Sequence, residues 1–344
     1  MPKITSVNPE ALPASGNLLQ SAFWAEIKRP FGWNAYGFIL SEGAEDFPLL
    51  VLVRTLGFGN SLAYVPHGPE IKVGNNIELS EYLDFYSQAL KKYLPKGVFA
   101  VRYDLPQGTE GENTFPEPIP KPLVKAPADI QPPDTVIIDC TQETEEIMNQ
   151  MKSKTRYNIR LAFRKGVEIE EAGREKLDEW YEMYQETAER DKIVLHHKAY
   201  YENLFDQAQY NIPGTPELKL LFAKEGGELL AGNIVAFTEK TATYLYGAST
   251  NKKRNLMPAY ALQWKAIEMA KQRGCSQYDL FGIPPVKDKN HPMYGLYRFK
   301  TGFGGTILHR YGCYDYPISW WRYPVYRNAE KMRQFYFKSI RKRF

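Results

Sequence analysis

The sequence predicts an α/β protein with mixed α+β sheets, wired as two blocks of the same kind. Short apolar runs alternate with amphipathic stretches over residues 18–103 in the order helix, antiparallel strands, helix, strand. The same order returns over residues 135–281. Between the blocks, residues 105–135 are dense in proline, which marks a linker or irregular excursion. No residue identity between the blocks is evident, so the repetition is one of fold.

In residues 18–28 (LLQSAFWAEIK), Leu18, Leu19, Ala22, Phe23 and Ile27 recur at helical spacing, and Pro30 stops the helix. Strands follow at 35–40, 48–55 and 61–65, a helix at 77–94, and a strand at 98–103 that leads into Asp104. The second block opens with the strand 135–139. Helices at 143–151 and 153–165, a strand at 167–172, and helices at 175–191 and 198–208 come next. Strands at 218–224, 229–238 and 241–248 precede a long helix at 258–273 and a strand at 278–281. Residues 314–344 are aromatic and then basic, and predict a helix from about Tyr323 that packs back on the first block.

Composition narrows the function classes. The 344 residues, 43% hydrophobic and 24% charged, are those of an ordinary globular protein with a sizeable core. Aromatics reach 14%, with 24 tyrosines, which suits wet pockets as well as a tyrosine-rich core with satisfied hydroxyls. A net charge of +4 and a pI near 8.6 are compatible with a nucleic-acid or anionic-membrane partner. Cys140, Cys275 and Cys313 are an odd set with no CxxC, against a disulfide framework or zinc site and in keeping with a reducing cytoplasm. The five histidines lack metal spacing, so no metal is expected. Residues 1–17 lack the basic and apolar regions of a signal peptide, and no apolar run reaches membrane-span length, so a cytoplasmic location is expected.

Several segments carry groups with chemistry. Residues 278–305 run from a strand through a Gly/Pro-rich loop to Lys300, beside Phe299 and ahead of Gly302, Gly304 and Gly305. The glycines let backbone approach another surface, and a lysine there is a ready site for a phosphate, a carboxylate or a developing oxyanion. The helix 153–165 gathers Lys152, Lys154, Arg156, Arg160, Arg164 and Lys165. Its arginines at i, i+4 and i+8 stack along one stripe, either as a solvated face or as a contact for phosphates. Tyr244 and Tyr246 lie two apart in one strand and are expected to face the same way, lining a groove if solvated and the core if buried. Asp104 and Asp279 each end a strand, where a carboxylate caps a turn or acts on a substrate. Trp24, Phe31 and Trp33 surround Lys28, which either snorkels or binds phosphate at a pocket rim. In residues 246–262 the strand–loop–helix order is that of CoA-dependent N-acetyltransferases, whose glycine-rich loop holds the CoA pyrophosphate at the helix N-terminus. Here Asn255, Leu256, Met257 and Pro258 stand where glycines would be, an acetyltransferase architecture without its CoA grip.

The segments QSAFWAEIKRPFGW, MKSKTRYNIRLAFRKGV, YLYGAS, PAYALQWKAIEMAKQRGCSQYDLFGI and GLYRFKTGFGG appear in that order. Together they resemble the FemABX family of peptidoglycan-bridge aminoacyltransferases, over nearly the whole chain and most specifically in GLYRFKTGFGG. The resemblance implies two tandem N-acetyltransferase (GNAT)-like lobes, the first from 1–134 plus 316–344 and the second from 135–315. It implies transfer of an amino acid from aminoacyl-tRNA to the stem-peptide amine of a nucleotide- or lipid-linked precursor, without a cofactor, by a monomer. Lys28 and Lys300 match lysines that hold the diphosphate-bearing precursor. Tyr244, Tyr246 and Asp104 match groove residues near the acceptor, and Phe299 with Lys300 lies where the tRNA acceptor end is expected. The family's arginine ahead of a tyrosine pair is replaced by His196 or His197 ahead of Tyr200 and Tyr201. The long coiled-coil insertion of staphylococcal members is missing, so the compact branch matches better.

Aminolysis of an ester needs alignment and charge stabilisation. Lys300 is the candidate for binding phosphate and offsetting the oxyanion, with Asp104 an outside candidate for general base. Trp33 joins Lys28 as a candidate precursor contact. Trp320, Trp321 and Tyr323, with Arg341, Lys342 and Arg343, either rest on an anionic membrane face or belong to a packed terminal helix with a frayed tail. The rival readings are a CoA-dependent N-acyltransferase of cell-envelope polysaccharide synthesis and a non-enzymatic tRNA- or membrane-binding protein.

Overall fold

The structure, a computed structural model, describes residues 3–42, 45–210, 212–284, 289 and 291–336. It divides into two compact units. Unit 1 holds Met1–Pro133, Ile212–Gly214 and His309–Phe344, and unit 2 holds Asp134–Asn211 and Thr215–Leu308.

In unit 1, β1 (Lys3–Val7) precedes α1 (Ala22–Lys28). The helix expected over 18–28 is broken at Ser21, which takes an extended backbone and caps α1 by accepting the Trp24 N–H on its hydroxyl. Leu18–Gln20 forms a separate short 3₁₀ turn. Strands β2 (Trp33–Glu42), β3 (Glu45–Gly57) and β4 (Asn60–Val65) form an antiparallel meander. Helix α2 (Asn76–Leu90) then crosses over to β5 (Val98–Glu110), which pairs parallel to β4, as such a crossover requires. The short β6 (Val124–Lys125) closes the first pass.

Unit 2 repeats the plan. It opens with β7 (Asp134–Asp139), α3 (Thr144–Gln150) and α4 (Ser153–Arg164). Then come β8 (Glu168–Ala172), α5 (Leu177–Asp191) and α6 (Lys198–Gln207). The antiparallel strands β9 (Glu217–Glu225), β10 (Glu228–Phe237) and β11 (Thr241–Ser249) lead into the crossover helix α7 (Pro258–Gln272). Strand β12 (Gln277–Asp279) lies parallel to β11, and α8 (Tyr294–Lys300) follows. The chain continues through β13 (Thr306–Pro317) to α9 (Arg322–Phe335) in unit 1.

Strand order within unit 1 is β1-β2-β3-β4-β5-β13, and within unit 2 it is β8-β9-β10-β11-β12-β7. In each, an antiparallel run ends in one parallel pair whose crossover helix covers one face. These are the two N-acetyltransferase-like lobes in tandem, of the mixed α/β class the sequence predicts. Each core follows from period-two alternation. In unit 1, Val51, Val53, Ala63, Val65, Val101 and Tyr103 point to α2, where Leu79, Leu83 and Leu90 meet them. In unit 2, Val235, Ala242 and Tyr278 meet Leu262, Ala266 and Ile267 of α7. Each fully buried aliphatic side chain contributes about 1.5–3 kcal/mol.

Four further segments depart from the sequence reading. Residues 294–300, read as loop, form helix α8, so Lys300 ends a helix. Strand 98–103 runs on to Glu110, and β1 and β13 add strands where the sequence reading has none.

Candidate functional site

In unit 1 the sheet face opposite α2 carries the polar groups. Register places Trp33 beside Arg54, Arg54 beside Leu62, and Tyr64 beside Arg102. Asp104 lies two residues beyond Arg102 and therefore on the same face. Asp104 is only 1% exposed. Its Oδ2 accepts from the Tyr64 hydroxyl at 2.9 Å and from the Gln131 backbone N–H at 3.2 Å. Burial pushes the Asp104 carboxyl up to about 6, and the bonds from Tyr64 and Gln131 hold back part of that rise. A carboxylate so enclosed positions Tyr64 and the segment at Gln131. The Trp33 ring sits 5.9 Å from that of Tyr64, with the Arg54 guanidinium 5.5 Å from the Trp33 centroid. Lys28, the last residue of α1, holds its ammonium 4.5 Å from the Trp24 centroid one turn back.

Arg102 forms a buried cluster on this face. Its guanidinium donates to both oxygens of Asp315 at 2.7 and 2.9 Å and to both of Glu330 at 2.9 and 2.8 Å. Burial disfavours its charge, but the bonds to Glu330 and Asp315 more than reverse that and hold it above its usual range. Tyr323 donates to Asp315 at 3.1 Å and Tyr326 to Glu330 at 3.2 Å. Helix α9 is thereby fastened to β5 and β13. Sequence reasoning missed this cluster, and the signal was a lone arginine inside the apolar run VFAVRY.

In unit 2, Lys300 is 5% exposed. Its Nζ donates to the carbonyls of Phe281 at 3.1 Å and Gly282 at 3.0 Å and lies 5.2 Å from the Tyr244 ring centroid. Burial pushes the Lys300 ammonium down to about 7, against the pull of Asp279. Phe281 adopts a left-handed φ of 58°, uncommon for a bulky side chain, and its N–H donates to Asp279 Oδ1 at 2.7 Å. Thr135 also donates to that oxygen. An ammonium has three protons. Among the described residues two reach carbonyls, and the third is left for the Tyr244 ring or an incoming group.

The glycines beside Lys300 serve the unit's own packing. A Cβ on Gly304 would stand 2.8 Å from the Gln150 carbonyl oxygen, and one on Gly305 would run into that of Ile137. One on Gly302 would stand 2.5 Å from the Thr155 hydroxyl. The close approach expected of them is to α3, α4 and β7.

Tyr244 and Tyr246 do not share a face. Tyr244 pairs with Val235 and Tyr246 with Ile234, so Leu245 is an extra residue and the alternation breaks. Tyr244 packs on the α7 side with Val235. Tyr246 turns to the α5–α6 side, where its ring lies 5.1 Å from Tyr201 and 6.4 Å from Tyr200, and its hydroxyl donates to that of Tyr200 at 3.3 Å. Trp180 and Tyr184 complete this aromatic cluster, and His196 stacks on Tyr200 at 4.2 Å. His197 is exposed at the start of α6. Burial and Tyr200 together raise the Tyr246 hydroxyl well above its ordinary value. Phe299, half-buried, packs 4.9 Å from Tyr260 and 5.3 Å from Phe303 at the edge of the core.

The basic helix α4 buries Thr155, Asn158, Ile159 and Ala162 and exposes Lys154, Arg160 and Arg164. Arg156 leaves that stripe: it donates to the carbonyl of Asn149 at 3.1 Å and to that of Met151 at the end of α3. Lys152 donates to Thr301 at 3.3 Å. Among the described residues Lys154, Arg160 and Arg164 form no ion pair.

The loop after β11 holds Lys253 and Met257 in left-handed backbone, and Pro258 occupies the first turn of α7. Lys253 pairs with Glu225 at 2.6 Å and Glu228 at 3.0 Å. Among the described residues no group of histidine, cysteine and carboxylate side chains could hold a metal ion, and no helix is long and apolar enough to cross a membrane.

Comparison with known proteins adds a family. The FemAB family model matches residues 122–212 and 215–331. The lipid II:glycine glycyltransferase of Staphylococcus aureus (strain USA300) is 23% identical over 397 aligned positions, covering 93% of this chain and 91% of that protein. A solved structure described as FemX is 20% identical and superposes with a TM-score of 0.76 over 94% of this chain and 100% of its own. A conserved protein of unknown function from Bacteroides thetaiotaomicron follows at 13% identity and a TM-score of 0.52. These two likenesses concern the fold alone.

Proposed function

This chain belongs to the FemAB family, a family of acyltransferase-type enzymes, and on that premise we propose that it moves an amino acid from aminoacyl-tRNA to the stem-peptide amine of a peptidoglycan precursor. The product is the interpeptide bridge. The similarity to a lipid II:glycine glycyltransferase over nearly the full length of both chains supports this acceptor class. The observation that carries the chemistry is Lys300, a buried ammonium near neutrality with one N–H beyond its two carbonyl bonds.

In this reading the neutral amine attacks the ester carbonyl, a C–N bond forms, and negative charge gathers on the carbonyl oxygen. Lys300 stabilises that oxyanion in a water-poor setting, where the interaction is strongest. The C–O bond to the ribose then breaks, and the amine's proton leaves with the ribose oxygen. Alignment of the two substrates supplies roughly 7–11 kcal/mol in favourable cases. Lys28 and Trp33 contact the diphosphate-bearing precursor. Tyr246, Tyr200, His196 and His197 shape the acceptor side, Tyr244 stands on the opposite face beside the Lys300 ammonium, and Phe299 supports Lys300 from the edge of the core. The exposed cations of α4 meet tRNA phosphates, and Trp320 and Trp321 contact the membrane face that presents a lipid-linked acceptor.

Lys300→Ala tests the assignment. Labelled amino-acid transfer should fall more than tenfold in kcat with the circular-dichroism spectrum unchanged. Turnover near that of the unsubstituted protein removes Lys300 from the mechanism.

A further inference from the structure

A cavity of about 590 Å³ opens in unit 1 between the β3–β4 hairpin and α9. Leu56, Leu62, Ile130 and Tyr326 give it apolar walls, Trp33, assigned above to the precursor, stands at one end beneath the Arg54 guanidinium, and Arg54 and Arg333 stand exposed in it. Neither arginine forms an ion pair among the described residues. Among the described residues the one carboxylate lining the cavity, Glu330, is already bonded to Arg102. The groove therefore combines uncompensated positive charge with apolar surface.

Its two margins are apolar and exposed. Beyond Leu56 the hairpin turns at Gly57, Phe58 and Gly59, all with positive φ. Phe58 holds φ at 50° and is fully exposed, at 104%. A bulky aromatic in left-handed backbone at a hairpin tip is strained; the Asn60 side chain donates to the Phe58 carbonyl at 3.3 Å, and the fully exposed ring adds no packing to offset the strain. On α9, Tyr326, Ala329, Glu330 and Arg333, at i, i+3, i+4 and i+7, line the groove. The neighbouring stripe carries Trp321, Val325 and Met332, the last two 68% and 73% exposed. Arg322 and Lys331 are interleaved with it.

We infer that this groove seats the phosphate of an anionic lipid at a bilayer surface, with Phe58 and the apolar stripe of α9 set into the interfacial layer. The charge asks for a phosphate, and apolar margins on both sides ask for that phosphate to sit at an apolar boundary rather than in water. This deepens the membrane contact of the proposed function and rests on it. A soluble nucleoside diphosphate shares the phosphate chemistry but gives Phe58, Val325 and Met332 nothing to enter.

Co-sedimentation of the full chain with phosphatidylglycerol or phosphatidylcholine vesicles tests the inference, beside Arg54→Glu/Arg333→Glu and Phe58→Ser/Met332→Ser variants checked for folding by circular dichroism. The unsubstituted chain should bind phosphatidylglycerol at least tenfold more tightly than phosphatidylcholine. The charge variant should lose at least tenfold on phosphatidylglycerol, and the apolar variant should lose binding to both. Equal binding to the two lipids, or variants that bind as the unsubstituted chain does, overturns it. So does uridine diphosphate binding that the charge variant abolishes while vesicle binding persists. Transfer to a soluble nucleotide-linked acceptor, measured alongside, separates the two claims: transfer without vesicle binding defeats the groove and leaves the proposed function standing, and groove-dependent vesicle binding without transfer to any acceptor does the reverse.

Discussion

Lys300→Met should erase a specific part of the protein's pH dependence of stability. The Lys300 ammonium titrates near 7 in the folded protein and near 10.5, the ordinary lysine value, in the unfolded chain. Between those values the unfolded chain binds more protons than the folded one, so stability rises with pH across that window. Integrating the linkage from about pH 7 to pH 9 gives about 2 kcal/mol from this one residue. The absolute stability of the variant is the wrong readout. Removing the buried ammonium relieves about 4 kcal/mol at neutral pH. The same change orphans the carbonyls of Phe281 and Gly282, at about 1–3 kcal/mol each, and the two effects nearly cancel. The difference between pH values survives that cancellation. Urea unfolding of both proteins followed by tryptophan fluorescence at the two pH values measures it. A gap between protein and variant that shifts by less than about 0.5 kcal/mol across the window refutes the buried, titrating lysine.

Two further outcomes are expected. Arg102→Met leaves Asp315 and Glu330 buried without their cation, and should lower stability by about 3–5 kcal/mol in denaturant unfolding; a loss below about 1 kcal/mol would show that α9 is not fastened by this cluster. Arg160→Glu/Arg164→Glu, at exposed positions on α4, should leave folding unchanged and reduce the slope of log affinity for tRNA against log salt by about 1.5 or more; an unchanged slope takes α4 out of the RNA contact.

Most of the scaffold was legible because it rests on local signals. Continuous apolar runs such as PLLVLVRT and SLAYV became strands buried on both faces, and Pro258 opened α7 as its fixed φ predicts. The Tyr244–Tyr246 pair was misread because a bulge is invisible to period-two counting: one extra residue, Leu245, sends the rings to opposite faces. Helix α8 was hidden by punctuation, since Gly295 and the neighbouring prolines mask the periodicity of YGLYRFK. Strand β13 did carry a signal, with β-branched and aromatic residues through TILHRYGCYDY, and was overlooked beside the glycines before it. Lys300 was legible as a cationic site and not as a buried one. Its burial depends on the carbonyls of residues 281 and 282, distant in sequence and presented by the left-handed turn at Phe281. The buried cluster at Arg102 joins residues more than two hundred positions apart, which no local pattern reports. Arg341, Lys342 and Arg343, read as a basic tail, lie outside the described residues.

The most direct test of the central claim offers the purified chain a panel of charged tRNAs, with acetyl-CoA as a separate donor, and both nucleotide- and lipid-linked precursors as acceptors, and reads product mass. The account predicts a mass increase of one amino-acid residue on the precursor, dependent on aminoacyl-tRNA and lost with Lys300→Ala. Acetylation from acetyl-CoA, or no transfer from any charged tRNA to either precursor, would contradict it.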